Sequence, residues 1–150
     1  MNVPRLFFAL AAACAVSLAA AAEGLIAAKS PLSTKATADK FEELAKQRGL
    51  VVFARIDHSA AAAKVNKSLR PTELLIFGSP QAGTPFMECE QTVGIDLPLK
   101  ALFWEDSASQ VWVGYNDPSY LAARHGVSQC PVVENIRKAL SSLVEATIAK

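Results

Sequence analysis

The stretch from Arg70 to Asp106 limits the possible folds more than any other part of the sequence. It contains an apolar run at residues 74–77, a break at residues 78–80, and a helix start at Thr84-Pro85. Threonine is a favoured N-cap, and proline is favoured at the first helical position. A second break at residues 96–98 precedes another apolar run. The predicted order is strand, loop, short helix, loop and strand, and the other elements are placed around it.

The first 22 residues have the three-part pattern of a secretory signal peptide. Arg5 supplies the positive region, residues 6–20 are almost entirely apolar, and residues 20–22 match the small-residue cleavage pattern. The apolar run is shorter than the ~20 residues that a membrane-crossing helix needs. The sequence therefore predicts a signal peptide over residues 1–22, a single domain over residues 23–150, and a periplasmic or secreted protein.

Charge and hydropathy exclude two classes of partner. The sequence has 15 basic and 14 acidic residues, and Arg5 is the only charge before Glu23, so the mature part has 15 − 1 = 14 basic against 14 acidic residues. Nucleic-acid binding depends on an excess of Lys and Arg. No apolar stretch after residue 22 is long enough to span a bilayer. We therefore predict no nucleic-acid partner and no membrane attachment after signal cleavage.

Two cysteines, Cys89 and Cys130, follow the predicted cleavage site. Disulfides persist in exported proteins, and a bridge between these two would contribute ~3–4 kcal/mol in the chain-entropy model. The sequence does not give the Cα separation that a disulfide requires. Two small buried thiols therefore remain the alternative to a Cys89–Cys130 disulfide.

The remaining elements predict an α+β domain. Consecutive strands in the second half of the chain favour a mainly antiparallel sheet with helices packed on one face. The predicted strands are residues 24–29, 50–56, 74–77, 99–104 and 111–115. The predicted helices are residues 34–48, 60–67, 85–92 and 118–125, with a C-terminal helix that begins after Pro131.

A glycine-rich loop at residues 78–84 superficially resembles a phosphate-binding loop. It lacks the lysine that follows the second glycine of that motif, and Pro85 replaces the Ser or Thr, so nucleotide hydrolysis is excluded. Gly78 and Ser79 still precede a helix whose N-terminal amides can hold an anion. The alternative is that the glycines form tight turns and Thr84 caps the helix.

Two His-containing pairs lie at predicted element ends. Asp57 can orient the imidazole of His58 for base or metal chemistry, or it can cap the next helix, as can Ser59. Arg124 and His125 lie in the last turn of a helix, where positive groups satisfy the free carbonyls. A functional alternative brings His125 near His58. The sequence has no ligand spacing such as CxxC or HExxH, so we predict no metal site.

Charged residues also flank and interrupt the fourth predicted strand. Asp96 precedes it, Glu105 follows it, and Lys100 lies in an apolar setting within it. A buried lysine needs a polar partner, which would mark a site, whereas a lysine at an edge extends outward. We expect the charged and imidazole candidates to form one polar hollow at one end of the sheet, next to Gly78 and Ser79. These candidates are Asp57, His58, Asp96, Lys100, Glu105, Arg124 and His125.

Four segments carry a family resemblance: RPTELLIFGSPQAGTPFM, IDLPLKALFWED, VWVGYNDPSYLAARHG and FARIDHSAAA. They resemble the domain of unknown function 302 family from Gly24 to about Leu143. Ser79 stands where the family usually has Asn, which removes an amide from the loop. The resemblance implies a TATA-box-binding-protein-like fold (strand, helix, four strands, helix) and a tendency to form homodimers. It implies no settled activity, and the nucleic-acid role of the fold's namesake does not transfer.

Three functions fit these observations. The first is an exported small-ligand-binding or accessory module of the periplasm, dimeric, with a small molecule or anion as its ligand and no predicted cofactor. The second is a small hydrolase- or lyase-like enzyme in which His58 is the general base and Lys100 or Arg124 stabilises an anion. The third is a structural dimerisation module whose polar residues only cap, turn and pair.

Overall fold

The computed structural model describes residues 22–149. The predicted signal peptide lies outside the described residues, except for Ala22. Residues 22–149 form five strands, five α-helices and one 3₁₀ helix, Gln91–Ile95. The strands are β1 (Leu25–Ser30), β2 (Val51–Asp57), β3 (Thr72–Gly78), β4 (Leu99–Glu105) and β5 (Val111–Asn116). The helices are α1 (Thr34–Gln47), α2 (His58–Ala63), α3 (Pro80–Cys89), α4 (Pro118–Arg124) and α5 (Val132–Ile148).

The strands form one antiparallel sheet in the order β1-β5-β4-β3-β2. β2 to β5 follow one another as sequential neighbours, and α1 connects the two edge strands. The α+β prediction is confirmed. The order of strand, helix, four strands and helix that the resemblance implies is also confirmed, with α2, α3, the 3₁₀ helix and α4 as insertions.

Helix α1 is capped and amphipathic, as its sequence predicts. The Ser33 side chain accepts a hydrogen bond from the Ala36 amide at 3.3 Å, and Gly49 ends the helix with φ +76°. Phe41 is fully buried and packs edge-to-face on Phe77 and Phe103, with ring centroids 5.2 and 5.3 Å apart. A fully buried Phe contributes about 1.5–3 kcal/mol, so this trio fixes α1 on the sheet.

The residues of each strand alternate between the two faces of the sheet. In β3, Leu75 and Phe77 are fully buried beneath α1 and α5, whereas their neighbours Leu74 and Ile76 are only half-buried. Successive strand residues point to opposite faces of the sheet. The buried residues therefore share the face on which α1 and α5 pack, so the helices cover one face as predicted. We call the other face the open face. Its apolar residues are Ile56, Leu74, Ile76, Leu102, Trp104 and Trp112, and the strand register places Lys29 and Lys100 on it as well.

An ionic cluster fixes α1 to the helix-covered face of the sheet. Arg55 Nη1 lies 2.6 Å from Asp39 and 3.2 Å from Glu42 of α1, and Arg55 Nη2 lies 2.6 Å from Glu73 of β3. Hydrogen bonds from Lys35 and Arg55 hold the pKa of Asp39 below its ordinary value. The pKa of Glu42 is lowered in the same way by Lys46 and Arg55. Arg55 therefore links three carboxylates from two elements.

Candidate functional site

The sheet register separates the candidate residues into two groups. β2 pairs Asp57 with Glu73 but Val51 with Gly78, so Asp57 and Gly78 lie at opposite ends of the strands. β3 runs antiparallel to both β2 and β4, so these two strands run in the same direction. The last residue of β2 and the first residue of β4 therefore lie at opposite ends of the sheet. The expectation of a single polar hollow is therefore wrong. One end of the sheet has Asp57, His58 and Glu105, and the other end has Gly78, Ser79, Asp96, Lys100, Arg124 and His125.

Asp57 is a helix cap. Its Oδ1 accepts hydrogen bonds from Ser59 Oγ at 2.6 Å and from the Ala60 amide at 2.8 Å, and these bonds lower its pKa. His58 is the first residue of α2. The capping alternative for Asp57 therefore fits the structure. The carboxylate contacts its own helix, where it stabilises the free N-terminal amides.

The enzyme hypothesis that combines His58 with Lys100 or Arg124 lacks its geometry. A general base and an anion-stabilising group must lie about 3 Å from a common reacting atom. His58 follows the last residue of β2, whereas Lys100 pairs with Ile76 near the other end of the strands. This version of the enzyme hypothesis is wrong, because the length of the sheet separates the groups.

Asp96 organises the polar group at the Gly78 end. Its Oδ1 lies 2.9 Å from Arg124 Nη1, and its Oδ2 lies 2.7 Å from His125 Nε2. The side chains of Asp96 and His125 are only 13% and 8% exposed. Asp96 follows the 3₁₀ helix, and Arg124 and His125 end α4, so this contact joins two insertions of the fold.

The hydrogen bonds continue from His125 to the start of the 3₁₀ helix. Thr92 Oγ1 lies 3.0 Å from His125 Nδ1 and donates to Glu90 Oε1 at 2.9 Å. Hydrogen bonds from the Thr92 amide, which has the larger effect, and from the Thr92 hydroxyl hold the pKa of Glu90 below its ordinary value. Glu90, Thr92, His125, Asp96 and Arg124 therefore form one chain of polar contacts. Its imidazole has a partner on each ring nitrogen.

Lys100 is paired with backbone carbonyls. Its Nζ donates to the oxygens of Asp96 at 3.0 Å and Pro98 at 2.9 Å, across a loop in which the Leu97–Pro98 peptide bond is cis. The side chain is half-buried. The buried-lysine alternative therefore fits better than an outward-pointing one, because two dipoles satisfy the ammonium. Lys100 fixes the loop that follows the 3₁₀ helix.

Helix α3 starts earlier than the sequence predicts. The sequence predicts Thr84 as the N-cap and Pro85 as the first helical residue, but in the structure Ser79 is the cap and Pro80 is the first residue. The amides of residues 81–83 all donate to Ser79, either to its side chain or to its carbonyl oxygen. These are the amides that would hold an anion. The anion-binding expectation for Gly78 and Ser79 therefore loses its donors.

The early start of α3 places its inner side over a cavity at the Gly78 end. The cavity has a volume of about 320 Å³ and lies between α3, the loop at residues 97–99 and the bulged edge strand β2. Glycines at positions 78, 83 and 94 leave room there for the surrounding apolar side chains. The cavity is lined by Phe53, Gly78, Ser79, Pro80, Ala82, Gly83, Thr84, Met87, Gly94, Leu97, Pro98, Leu99 and Ile136.

Cys89 and Cys130 form a disulfide in the structure, with a Cα–Cα distance of 6.0 Å. The bond joins the last residue of α3 to the loop that precedes α5. It therefore adds a covalent link to the helix that forms one wall of the cavity.

Sequence reasoning missed most of the cavity wall. Phe53, Met87, Leu97 and Ile136 have the apolar character of ordinary core residues, and no periodicity distinguishes a residue beside a cavity from one in a filled core. Thr92 was also missed, because its partner His125 is distant in the sequence. Across residues 22–149, no three His, Cys, Asp or Glu side chains are grouped so that they could hold a metal ion.

The fold is similar to that of a solved structure described as an uncharacterized conserved protein DUF302 from Bacillus stearothermophilus. The two align with a TM-score of 0.75 over 84% of this chain and 99% of that chain, at 18% sequence identity. At this identity the likeness shows the fold alone, which is the TATA-box-binding-protein-like α+β fold that the resemblance implies.

Curated relatives are similar at a higher sequence identity. The chain is 45% identical over 104 residues to the "Fluoride-specific ion channel FluC 1" of Brucella suis and of Brucella abortus. The alignment covers 69% of this chain and 41% and 38% of those proteins, so the chain spans about two fifths of their length. Among the helices of residues 22–149, none combines the length and hydropathy needed to cross a membrane.

Residues 26–145 match the family described as "Domain of unknown function DUF302", and the chain belongs to that family.

Proposed function

We propose that this DUF302 domain is an exported module that binds a small, mostly apolar molecule in the cavity beneath α3. The cavity is the observation that carries the proposal. Its volume of about 320 Å³ lies at the lower end of the range for ligand pockets, roughly 300–1,000 Å³. Phe53, Met87, Leu97 and Ile136 supply the apolar wall that such pockets have.

The polar groups at the cavity limit the chemistry of the ligand. Thr84 contributes a hydroxyl group, and the Ser79 hydroxyl is bonded to Gln81. Asp96, Arg124 and Lys100 are not among the lining residues. A charged ligand would therefore lose water without gaining an ionic partner. The wall favours an aromatic or short aliphatic molecule with one hydrogen-bonding group, which a hydroxyl at the wall can orient.

Thermal unfolding with small probes tests this proposal. Indole and 1-naphthol should raise the melting temperature of the full chain in a concentration-dependent manner, and glycerol should not. The variant Gly83→Met fills the cavity from α3 and should lose the response, because a Cβ at Gly83 lies 3.6 Å from the cavity residue Leu97. Ala61→Met, on the exposed surface of α2, is the matched control. An equal response of both variants would refute the proposal.

The periplasmic or secreted location is part of the proposal. It is supported by the signal-peptide pattern of residues 1–22 and by the Cys89–Cys130 disulfide, since disulfides persist in oxidising compartments. Cell fractionation and mass spectrometry of the mature protein test it. We expect the N-terminus at Glu23 in the periplasmic or secreted fraction, whereas an uncleaved cytoplasmic chain would contradict the location.

We further propose that two copies associate through their open faces. The stacked pair of Trp104 and Trp112, with centroids 6.2 Å apart, makes this face aromatic. Five strands of six or seven residues offer about 24 Å by 20 Å, or ~500 Å² per copy from strand spacing and rise. Two copies would bury ~1,000 Å², which is near the lower limit for a specific interface.

Light scattering coupled to gel filtration tests the dimer. The chain should elute with the mass of two copies, and Ile76→Lys should give one copy because it places a second positive charge opposite Lys100 at the centre of the open face. Ile95→Lys is the matched control, since Ile95 is 74% exposed on the 3₁₀ helix. A monomeric parent chain at micromolar concentration would refute the dimer.

A second candidate function is an accessory role beside a fluoride channel. It is supported by the names of the curated relatives, of which this chain matches about two fifths. A strain that lacks this chain should then grow more poorly than its parent in sodium fluoride but not in sodium chloride. Equal growth of the two strains across the fluoride series would contradict this role.

A further inference from the structure

The disulfide lies at the surface of the domain, and one of its two cysteines is exposed. Cys89 is exposed, whereas Cys130 is only 7% exposed. Two surface depressions of about 440 and 480 Å³ flank the bond, and Cys89, Cys130 and Pro131 line both of them. Attack by a thiol requires access to a sulfur atom. This disulfide therefore differs from a core disulfide that is protected from solvent.

Helix α3 has few buried residues, and the disulfide is attached to its last residue. Phe86 is the only fully buried residue among residues 80–89, and the helix packs mainly on the 3₁₀ helix and α5. Cys89 is the last residue of α3, and Gly83 and Met87, six and two residues before it, belong to the cavity wall. Few buried contacts mean a low local stability. Reduction would leave Phe86, the half-buried Ala82 and the contacts with the 3₁₀ helix and α5 as the attachments of this helix.

The segments on both sides of α3 have attachments of their own. Gly78 before the helix belongs to β3 and pairs with Val51. Asp96 after it pairs with Arg124 and His125, and Val93 of the 3₁₀ helix is fully buried. These contacts do not involve the disulfide. A change after reduction should therefore be confined to α3 and should alter the cavity without unfolding the domain.

We propose that the Cys89–Cys130 disulfide is a thiol–disulfide exchange site that controls the cavity wall. The inference rests on the ligand cavity proposed above. With the bond closed, α3 holds the cavity in its binding shape. With the bond open, α3 moves away from the loop at residues 97–99, and the cavity loses affinity for its ligand.

The partner in this exchange is a dithiol. One thiolate of the dithiol attacks Cys89 Sγ, a mixed disulfide forms with Cys89, and the Cys130 sulfur leaves as a thiolate that takes up a proton. The second thiol of the partner then attacks the mixed disulfide and releases Cys89 as a thiol. Two electrons pass from the dithiol to the cysteine pair, and the partner becomes a disulfide. The reverse reaction closes the bond again.

Two single-cysteine variants test the access that the proposal requires. Cys130→Ser leaves Cys89 free, and Cys89→Ser leaves Cys130 free. With 5,5′-dithiobis(2-nitrobenzoate), the exposed Cys89 should react at least about tenfold faster than the buried Cys130, since reactivity follows exposure. Equal rates, or a faster Cys130, would overturn the proposed route of attack.

Hydrogen exchange and indole titration test the control of the cavity. The full chain is measured oxidised, after reduction by dithiothreitol, and as the double variant Cys89→Ser/Cys130→Ser. We expect amide protection in residues 80–89 to fall about tenfold on reduction while residues 38–45 of α1 stay protected. The Kd for indole should rise at least about tenfold. Reduction of the parent chain gives the same comparison if the double variant does not fold.

The two readouts separate the possible failures. Unchanged protection of residues 80–89 would overturn the inference, and so would an equal loss in α1, which would make the disulfide a global crosslink. A bond that dithiothreitol does not open in the folded protein would overturn it as well. Selective loss of protection without indole binding in either state would uphold the control of α3 and refute the proposed ligand.

Discussion

Substitution of Gly83 measures how much the empty cavity lowers the free energy of unfolding of the domain. Gly83 is the fourth residue of α3, and its φ lies outside the positive region that Gly24, Gly49 and Gly126 occupy. Alanine in a helix interior is about 1 kcal/mol more favourable than glycine. The new Cβ would meet Leu97 Cδ1 at 3.6 Å, an ordinary contact. We therefore expect Gly83→Ala to stabilise the domain by about 1 kcal/mol, or about 3–5 °C in Tm.

A longer side chain at the same position should add to this gain. Gly83→Met places three further heavy atoms beside the cavity wall, and buried methylene-sized groups contribute about 0.8 kcal/mol each. We expect about 1–2 kcal/mol beyond alanine, because part of the side chain faces the cavity opening. Urea unfolding with an unchanged m-value measures both variants. A Met variant that is less stable than the Ala variant would refute the presence of an empty, accessible cavity at this position.

Three further predictions address the rest of the fold. Gly114→Ala should destabilise the domain by about 1–3 kcal/mol in urea unfolding, since its Cβ would lie 3.0 Å from the Ile26 carbonyl oxygen. Asp96→Asn should lower the free energy of unfolding by about 1–3 kcal/mol, because it removes charged hydrogen bonds; a loss below 0.5 kcal/mol would show that the contacts are not formed in solution. Arg55→Met should destabilise the domain near pH 7. The folded pKa values of Asp39 and Glu42 lie below the ordinary 3.8 and 4.5, so their stabilisation is full above about pH 5 and is lost as pH falls through the folded values. The difference between parent and variant, followed by thermal unfolding from pH 7 to pH 2, should therefore shrink below pH 4.

The sequence predicted the elements because their patterns are local. Ser33 and Gly49 mark the two ends of α1, and the alternation in β5 shows which residues face the helices. The start of α3 could not be chosen in this way, because Ser79-Pro80 and Thr84-Pro85 are the same signal. The structure uses the earlier of the two signals, with Ser79 as the cap and Pro80 as the first residue.

The prediction that the candidate residues form one site was wrong for a different physical reason. Asp57 and Lys100 both lie near strand ends, and a list of strand ends does not say which ends meet. That depends on the direction of each strand and on the register, for which Asp57↔Glu73 and Lys100↔Ile76 are the relevant pairs. The contact of Asp96 with His125 spans 29 residues and depends on how two insertions dock. No local pattern carries that information.

The crossing made by α1 has a consequence for the width of the sheet. The helix begins after one border strand and ends before the other, so it must span four strand spacings, about 19 Å sideways, while returning along strands about 20 Å long. The resulting diagonal of about 28 Å exceeds the roughly 21 Å length of a 14-residue helix, and the short links at residues 31–33 and 48–50 supply the difference. Removal of one turn would shorten the span by about 5 Å and would pull a border strand from its neighbour. The number of strands that this domain can hold is thus limited by the combined length of α1 and its two short links.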